Sequence, residues 1–214
     1  YSFCTLLIIH NLRMYIPYLR KLRKAKRDNA KPLEKEVAKA LYDLEVGHKT
    51  LRTQLPRFHI NTAKEIEAKH LTKKGLVVLY PLRYLMLIRK VQKVLTAELE
   101  KRFPGRVVLL IAQRKVTKRP QDVYARQKVR RSMTRTAVDE GILTDLLFPA
   151  DAVAKRWRFR PDGSKLMKVY LDSRDKKKAE ARLAIIGQVY KKLVHRNISF
   201  GFMWNPKLQQ VAHK

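Results

Sequence analysis

The surplus of positive charge is the feature that most constrains how this chain can fold. Its 214 residues include 49 Lys and Arg but only 18 Asp and Glu, which leaves a formal net charge of +31. Repulsion among so many like charges opposes compaction, so a polyanion is the natural partner, and RNA phosphates attract such a surface through counterion release. A basic surface kept for solubility is the weaker alternative, because acidic residues usually serve solubility better.

The apolar content is still sufficient for one folded core. Hydrophobic residues make up 45% of the chain, and only 7 Gly and 9 Pro argue against a low-complexity sequence. Cys4 is the single cysteine, which excludes an intramolecular disulfide and a thiolate zinc site and favours a reducing compartment. The apolar run at 6–9 is too short to span a bilayer, which needs about 20 residues. No membrane partner is predicted.

Hydrophobic spacing predicts alternating helices and strands. An amphipathic helix begins at Pro32 and breaks near Gly47 and His48, while the short apolar runs at 75–80 and 106–116 are typical of buried strands. A helical pattern between those runs forms a crossover that is long enough to make the two strands parallel. Later segments predict a short helix after residue 135, a hairpin around 161–164, a last helix and a final strand.

These elements predict an α/β fold, in the form of a single domain whose mixed β-sheet is covered by helices. The domain is expected to span residues 32–204. A basic N-terminal extension (1–31) precedes it, a basic loop (114–135) interrupts it, and a tail (205–214) follows it.

Three basic segments are the candidate RNA-binding residues. The first, called the basic arm here, lies at residues 20–27 and contributes Arg20, Lys21, Arg23, Lys24, Lys26 and Arg27. Such a block repels itself when free and would order against phosphates. A solvated linker or a localisation signal is the alternative.

The basic loop is the second candidate segment. It lacks apolar periodicity and carries Arg114, Lys115, Lys118, Arg119, Arg126, Lys128, Arg130, Arg131 and Arg135. A core strand leads into it and a helix follows it, so a rigid scaffold would present a cationic segment suited to irregular RNA. Arginine forks can hold phosphates bidentately or stack on bases, whereas lysines act as point charges.

The third candidate is the first strand of the hairpin. Strict alternation places Arg156, Arg158 and Arg160 on one face and Trp157 and Phe159 on the other. We expect the aromatic face to enter the core and the arginine face to meet a row of phosphates, with simple solvent exposure as the alternative.

No motif indicates catalysis. The chain contains no Gly-rich phosphate loop, no His-Glu-x-x-His, no paired Cys and no Gly-x-Ser-x-Gly, so we predict no catalytic residue, no cofactor, no metal site and no small-molecule substrate. Distant carboxylates could still converge, which keeps a metal-dependent nuclease as a weak alternative. A protein-interaction module or assembly chaperone is a further alternative.

Several ordered stretches resemble the eukaryote-specific ribosomal protein seven family of the small subunit. They are NTAKEIE at 61–67, ELEKRF at 98–103, IAQRK at 111–115, TAV at 136–138, Leu146 with Phe148 and Pro149, DGS at 162–164 with KV at 168–169, and VYKKL at 189–193. The matching order makes this set more specific than any single piece.

This resemblance implies a function that the composition alone does not give. Members are expected to bind ribosomal RNA of the central domain, to contact neighbouring small-subunit proteins, to support assembly in the nucleolus and to reside in the cytoplasmic ribosome. The match around 111–138 implies that Arg114, Lys115, Arg131 and Arg135 lie in an RNA-contacting loop of the family. Residues 1–31 and 205–214 have no clear counterpart.

Overall fold

The computed structural model describes residues 17–24, 30–67, 73–124 and 131–203. Its helices are α1 (Pro32–Gly47), α2 (Lys49–Arg52), α3 (Leu85–Arg102), α4 (Arg135–Leu147) and α5 (Lys176–Val194). The strands are β1 (Thr62–Ile66), β2 (Lys74–Pro81), β3 (Arg106–Gln113), β4 (Ala152–Phe159), β5 (Lys165–Leu171) and β6 (Asn197–Phe202). The predicted mixed α/β class is confirmed.

The strands form two three-stranded sheets, in the orders β1-β2-β3 and β4-β5-β6, where the sequence predicts one sheet. Contacts within the chain also divide into two compact units. The first comprises the described residues up to Glu65 together with Leu76–Gln113, and the second comprises the described residues of 66–75 and those from Arg114 onward. The basic loop and α4 lie between β3 and β4 along the chain, which separates the two sheets. The predicted single domain at 32–204 stays a prediction.

In the first unit, α1 packs its apolar face onto the sheet. Val37, Leu41 and Leu44 are buried at helical spacing, and α1 ends at Gly47 with α2 beginning at Lys49, as the predicted break requires. Phe58 is buried in this core, with its ring edge-on to Tyr80 at 5.8 Å between centroids. The described N-terminal residues join the same core, because Leu22 packs against it and pairs with Ile60 in a parallel bridge.

Side-chain contacts fix the strand directions of the first sheet. The Asn61 amide side chain bonds Gln113 at the start of β1 and the end of β3, and Glu65 pairs with Arg106 at 3.5 Å at the opposite ends. Strands β1 and β3 therefore run in opposite directions. The Asn61 N–H donates to Leu79 O near the end of β2, which makes β1 antiparallel to β2 as well. Strands β2 and β3 are thus parallel, as the α3 crossover predicts.

In the second unit, β4 and β5 form an antiparallel hairpin and β6 pairs with β5 in parallel. Helix α5 is the crossover between β5 and β6. Met167, Val169 and Leu171 on one face of β5 are buried, as are Ile185 and Val189 of α5. One face of this sheet therefore carries the core of the second unit, and α4 packs beside α5.

The prediction that Trp157 and Phe159 enter the core is wrong. Their exposed fractions are 44% and 67%, although Trp157 stands opposite the buried Met167 on the helix-covered side of the sheet. Strand β4 is an edge strand, and its residues from Lys155 to Phe159 are all exposed. Cations contact the rings instead: the Arg196 guanidinium lies 5.4 Å from the Trp157 centroid, and Lys165 lies at the same distance from Phe159.

Candidate nucleic-acid interface

Two lysines of the basic arm hold it to the first unit. The Lys21 ammonium is buried, donates to the Leu55 carbonyl and pairs with Glu45. Lys24 lies 2.6 Å from a Glu34 carboxylate oxygen, and its side chain is 12% exposed. Lys21 is therefore enclosed by the fold, which disfavours the phosphate contact predicted from the sequence, and the charge of Lys24 is already matched by Glu34. Both cations therefore stabilise the fold, because a charge buried in a protein is costly unless it is paired.

Glu34 joins the basic arm to the start of α1. Its carboxylate accepts a hydrogen bond from the Lys31 backbone N–H at 2.8 Å, which satisfies a donor that the first helical turn leaves unpaired. Burial opposes its ionisation, but hydrogen bonds from Lys24 and from Lys31 outweigh burial and lower the pKa of Glu34 below its ordinary value. Glu34 is therefore held as an anion.

The remaining described cations of the basic arm point outward. Arg20 and Arg23 are exposed. The Arg23 N–H donates to the Ile60 carbonyl at 2.9 Å, which fixes the backbone at that residue. Lys26 and Arg27 lie outside the described residues. Lys21 and Lys24 hold the basic arm to the first unit. Arg20 and Arg23 are therefore exposed at positions that the fold determines.

The described parts of the basic loop place most of their predicted cations in solvent. Lys115, Lys118 and Arg119 are exposed in a stretch without helix or strand, and Arg135 is exposed at the start of α4. Arg131 is exposed and donates from Nε to the Thr117 carbonyl at 3.1 Å, while the Thr117 N–H donates to Met133 O. These bonds tie the two ends of the loop together. Arg126, Lys128 and Arg130 lie outside the described residues.

Arg114 differs from its neighbours in the basic loop. Its side chain is 8% exposed, and its guanidinium donates to Asp145 of α4 at 2.6 Å. It reaches Asp145 by crossing α4 at Gly141, where a Cβ atom would lie 2.6 Å from Arg114 Nε. Arg114 therefore fixes the start of the loop onto α4, and its predicted contact with RNA stays a prediction.

The second sheet brings the predicted arginines of β4 together with residues of its other two strands. Arg156 stands opposite Lys168, which stands beside Ser199, and Arg158 begins the next row, which ends at Asn197. The side of the sheet opposite Met167 and Val169, called the open face here, consists of Ala154, Arg156, Arg158, Leu166, Lys168, Tyr170, Asn197, Ser199 and Gly201.

The open face is polar and cationic. Arg156, Arg158 and the adjoining Arg160 are exposed, and Lys168 and Tyr170 are half-buried. The Tyr170 ring lies against Gly201, where a Cβ would be 3.4 Å from the ring. The sequence prediction missed Lys168 and Tyr170, although their alternation with the buried residues of β5 places them on this face.

Within the described residues, neither a candidate metal site nor a membrane-spanning helix is found. Within residues 17–24, 30–67, 73–124 and 131–203, no group of three or more His, Cys, Asp or Glu side chains could hold a metal ion. The helices of those same ranges include none that is long and apolar enough to cross a membrane.

Comparison with known proteins identifies the family. A model of the family described as ribosomal protein S7e matches residues 21–202. The small ribosomal subunit protein eS7 of Avicennia marina is 39% identical over 184 residues, which cover 86% of this chain and 96% of that protein. The protein of the same name from Schizosaccharomyces pombe is 40% identical over 180 residues, covering 83% of this chain and 92% of its own length.

A relative from Drosophila melanogaster agrees with these two. It is also a small ribosomal subunit protein eS7, 40% identical over 172 residues that cover 79% of this chain and 87% of the relative. The family model covers residues of both units, and each of the three relatives matches most of the chain. The chain therefore belongs to the ribosomal protein S7e family.

Proposed function

We propose that this protein is a structural constituent of the small ribosomal subunit, which binds and stabilises ribosomal RNA through phosphate contacts and supports assembly of the subunit. Its family and the names of its relatives support the ribosomal assignment. Membership of this family also confirms the prediction that the protein is not an enzyme.

The observation that carries the proposal is that buried acids pair with the cations that anchor the basic segments, while other cations of those segments stay exposed. Glu34 and Asp145 are buried, and each pairs with a cation that anchors a basic segment, namely Lys24 and Arg114. The fold thus uses acids to fix its basic segments, while arginines such as Arg156 stay exposed. A surface of this kind favours a polyanionic ligand.

The proposed contacts position the protein on RNA but contribute little to the selection of an RNA sequence. Phosphate contacts orient a protein on RNA but carry little base information, and arginine forks match phosphate oxygens bidentately. The open face and the described cations of the basic loop supply such forks in the second unit, and Arg20 and Arg23 supply them in the first. We infer that binding neutralises RNA segments that would otherwise repel each other, which stabilises their fold.

Assembly in the nucleolus, residence in cytoplasmic ribosomes and contacts with neighbouring small-subunit proteins belong to the same proposal. They follow from the family and the relatives' names rather than from a particular contact in the structure. The exposed apolar residues Val153 and Phe159 of β4 offer a surface that a neighbouring protein could cover.

Sedimentation of the native protein tests the proposal. We expect it to sediment with small ribosomal subunits from cell extracts and to be released by ribonuclease. Sedimentation in a ribonuclease-resistant complex away from the subunit would favour the protein-interaction alternative. Metal-dependent cleavage of RNA by the purified protein would favour the nuclease alternative.

A further inference from the structure

A polar cleft opens in the first unit at the carboxyl ends of β2 and β3. Its lining includes Arg23, His59, Asn61, Thr62, Arg83 and Gln113, and its cavity volume is about 460 Å³. Ligand sites of α/β sheets commonly lie beyond the carboxyl ends of parallel strands. The volume is within the range of ligand pockets, about 300 to 1,000 Å³. The sequence prediction included Arg23 but not the cleft.

The backbone around this cleft is fixed by the fold. Gln113 is the last residue of β3, and Arg83 lies in the turn of 3₁₀ helix that follows β2. On the other side, Arg23 is held through its N–H by the Ile60 carbonyl, next to the bridge between Leu22 and Ile60. The two arginines therefore reach the cleft from separate segments whose positions are set independently of any ligand.

The charge in the cleft is positive. Arg23 and Arg83 are exposed, and none of the residues that line the cleft is acidic. Burial lowers the pKa of His59, and the nearby positive charges of Arg23 and Arg83 lower it further. An anion that enters the cleft thus meets two guanidinium groups beside a His59 ring that also contacts the Tyr84 hydroxyl at 3.1 Å.

Two amide side chains also line the cleft, together with Lys24 and Pro81. The Asn61 side chain donates one hydrogen bond to the Gln113 side chain. One such bond leaves Asn61 with an amide oxygen and Gln113 with an amide NH₂, and the Thr62 hydroxyl is close by. An acceptor and a donor side by side match the edge of a nucleic-acid base, and an unpaired base can expose its edge to a protein.

We infer that this cleft binds one unpaired nucleotide, whose phosphate is held by Arg23 and Arg83 and whose base edge is bonded by Asn61 and Gln113. The inference rests on the proposed function, since the nucleotide would belong to the bound ribosomal RNA. A free nucleotide offers the same chemistry. The cleft would thus distinguish an irregular RNA segment from a regular duplex, in which bases are stacked and paired.

The test compares charge-matched variants of the full-length protein. The R23Q/R83Q variant removes two cations from the cleft, and K90Q/K93Q removes two exposed cations from α3 in the same unit. Affinity is measured for a short single-stranded RNA and for a duplex of equal length, across a salt series. Thermal unfolding of each variant checks that the fold is retained.

We expect R23Q/R83Q to bind the single strand at least tenfold more weakly than K90Q/K93Q does, with a clearly smaller difference between the two variants for the duplex. The slope of log affinity against log salt should fall by roughly 0.7 for each phosphate of the single strand that the variant no longer neutralises. An N61A/Q113A variant should lose single-strand affinity without a change of slope, because it removes base contacts alone. If adenosine monophosphate competes with RNA for the unaltered protein but not for R23Q/R83Q, a free nucleotide is sufficient to occupy the cleft. If adenosine monophosphate does not compete, the cleft binds the nucleotide only as part of RNA.

Equal single-strand affinity of the cleft variants and K90Q/K93Q would overturn the cleft assignment while leaving the proposed function intact. If the unaltered protein binds neither RNA, the proposed function itself fails. The two failures are thus distinguishable in one experiment.

Discussion

Arg114 crosses α4 above Gly141 to reach Asp145, so the size of one helical residue controls a buried ion pair. A Cβ at Gly141 would lie 2.8 Å from Arg114 Cζ, so the guanidinium must shift, and a shift disturbs its 2.6 Å pair with Asp145. We expect G141A to lower the free energy of unfolding by about 1–3 kcal/mol, as for a disturbed buried hydrogen bond. Chemical denaturation measures this difference.

A matched glycine provides the control for that substitution. No atom lies within 4 Å of a Cβ built on Gly47 at the end of α1. We therefore expect G47A to be neutral or to stabilise by up to about 1 kcal/mol through helix propensity. In an R114L background, where the pair is already absent, G141A should behave like G47A. Equal destabilisation by G141A in both backgrounds would contradict the account.

Glu34 gives the stability of the first unit a dependence on pH. Its pKa in the folded protein is lower than the ordinary value of 4.5, so its contribution is present above pH 4.5 and is lost as the pH falls through the lowered value. Removing one partner of a buried pair costs about 3 kcal/mol or more, which is the loss expected for E34Q near neutral pH.

Thermal or denaturant unfolding between about pH 6 and 3 tests that expectation. The difference in stability between the unaltered protein and E34Q should shrink as the pH falls, because protonation removes the same charge that the substitution removes. A difference that stays constant over this interval would assign the effect of E34Q to packing.

At the scale of elements, hydrophobic periodicity was sufficient to predict α1, α3, β2, β3, the hairpin, α5 and β6. It could not predict the division into two sheets, because spacing along one strand carries no information about which strand lies beside it. The alternation in β4 separated the arginines from Trp157 and Phe159, but whether a helix covers a face depends on distant residues. For the same reason, a run of cations did not reveal that Lys21 and Lys24 have acidic partners in α1.

The corrected position of Trp157 leads to a stability prediction. Its side chain is 44% exposed and contacts Arg196, a cation–π contact worth about 0.5–1 kcal/mol at exposed sites. We expect W157A to lower the free energy of unfolding by about 1 kcal/mol. The buried Phe58 is the comparison, since F58A should cost about 3–5 kcal/mol. If denaturant unfolding gives equal losses for W157A and F58A, the exposed position of Trp157 would be contradicted.

Arg156 and Arg158 of the open face, with the adjoining Arg160, lead to a prediction about RNA binding. We expect R156Q/R158Q/R160Q to weaken RNA binding more than tenfold at moderate salt, because exposed arginines on one strand can contact a row of phosphates. The control variant K35Q/K39Q/K49Q removes three exposed lysines from α1 and α2. Filter binding of both variants at one salt concentration measures the difference. Losses of equal size would indicate that the arginines act only through the net charge of the protein and not through their position on β4.

At the scale of the whole molecule, both units present exposed cations on a scaffold whose buried acids are paired. Ten of the predicted RNA-binding residues are described and exposed. They are Arg20, Arg23, Lys115, Lys118, Arg119, Arg131, Arg135, Arg156, Arg158 and Arg160. Under the proposed function, neutralisation of these charges by one polyanion would offset the self-repulsion of a chain with a net charge of +31.

The salt dependence of RNA binding tests this account most directly. If six to ten of these cations contact phosphates, the affinity of the purified protein for ribosomal RNA should fall by roughly three to five decades between about 50 and 200 mM salt. Fluorescence anisotropy over that interval gives the slope. An affinity that falls less than tenfold would contradict the account, because binding would then depend on contacts other than those to phosphates.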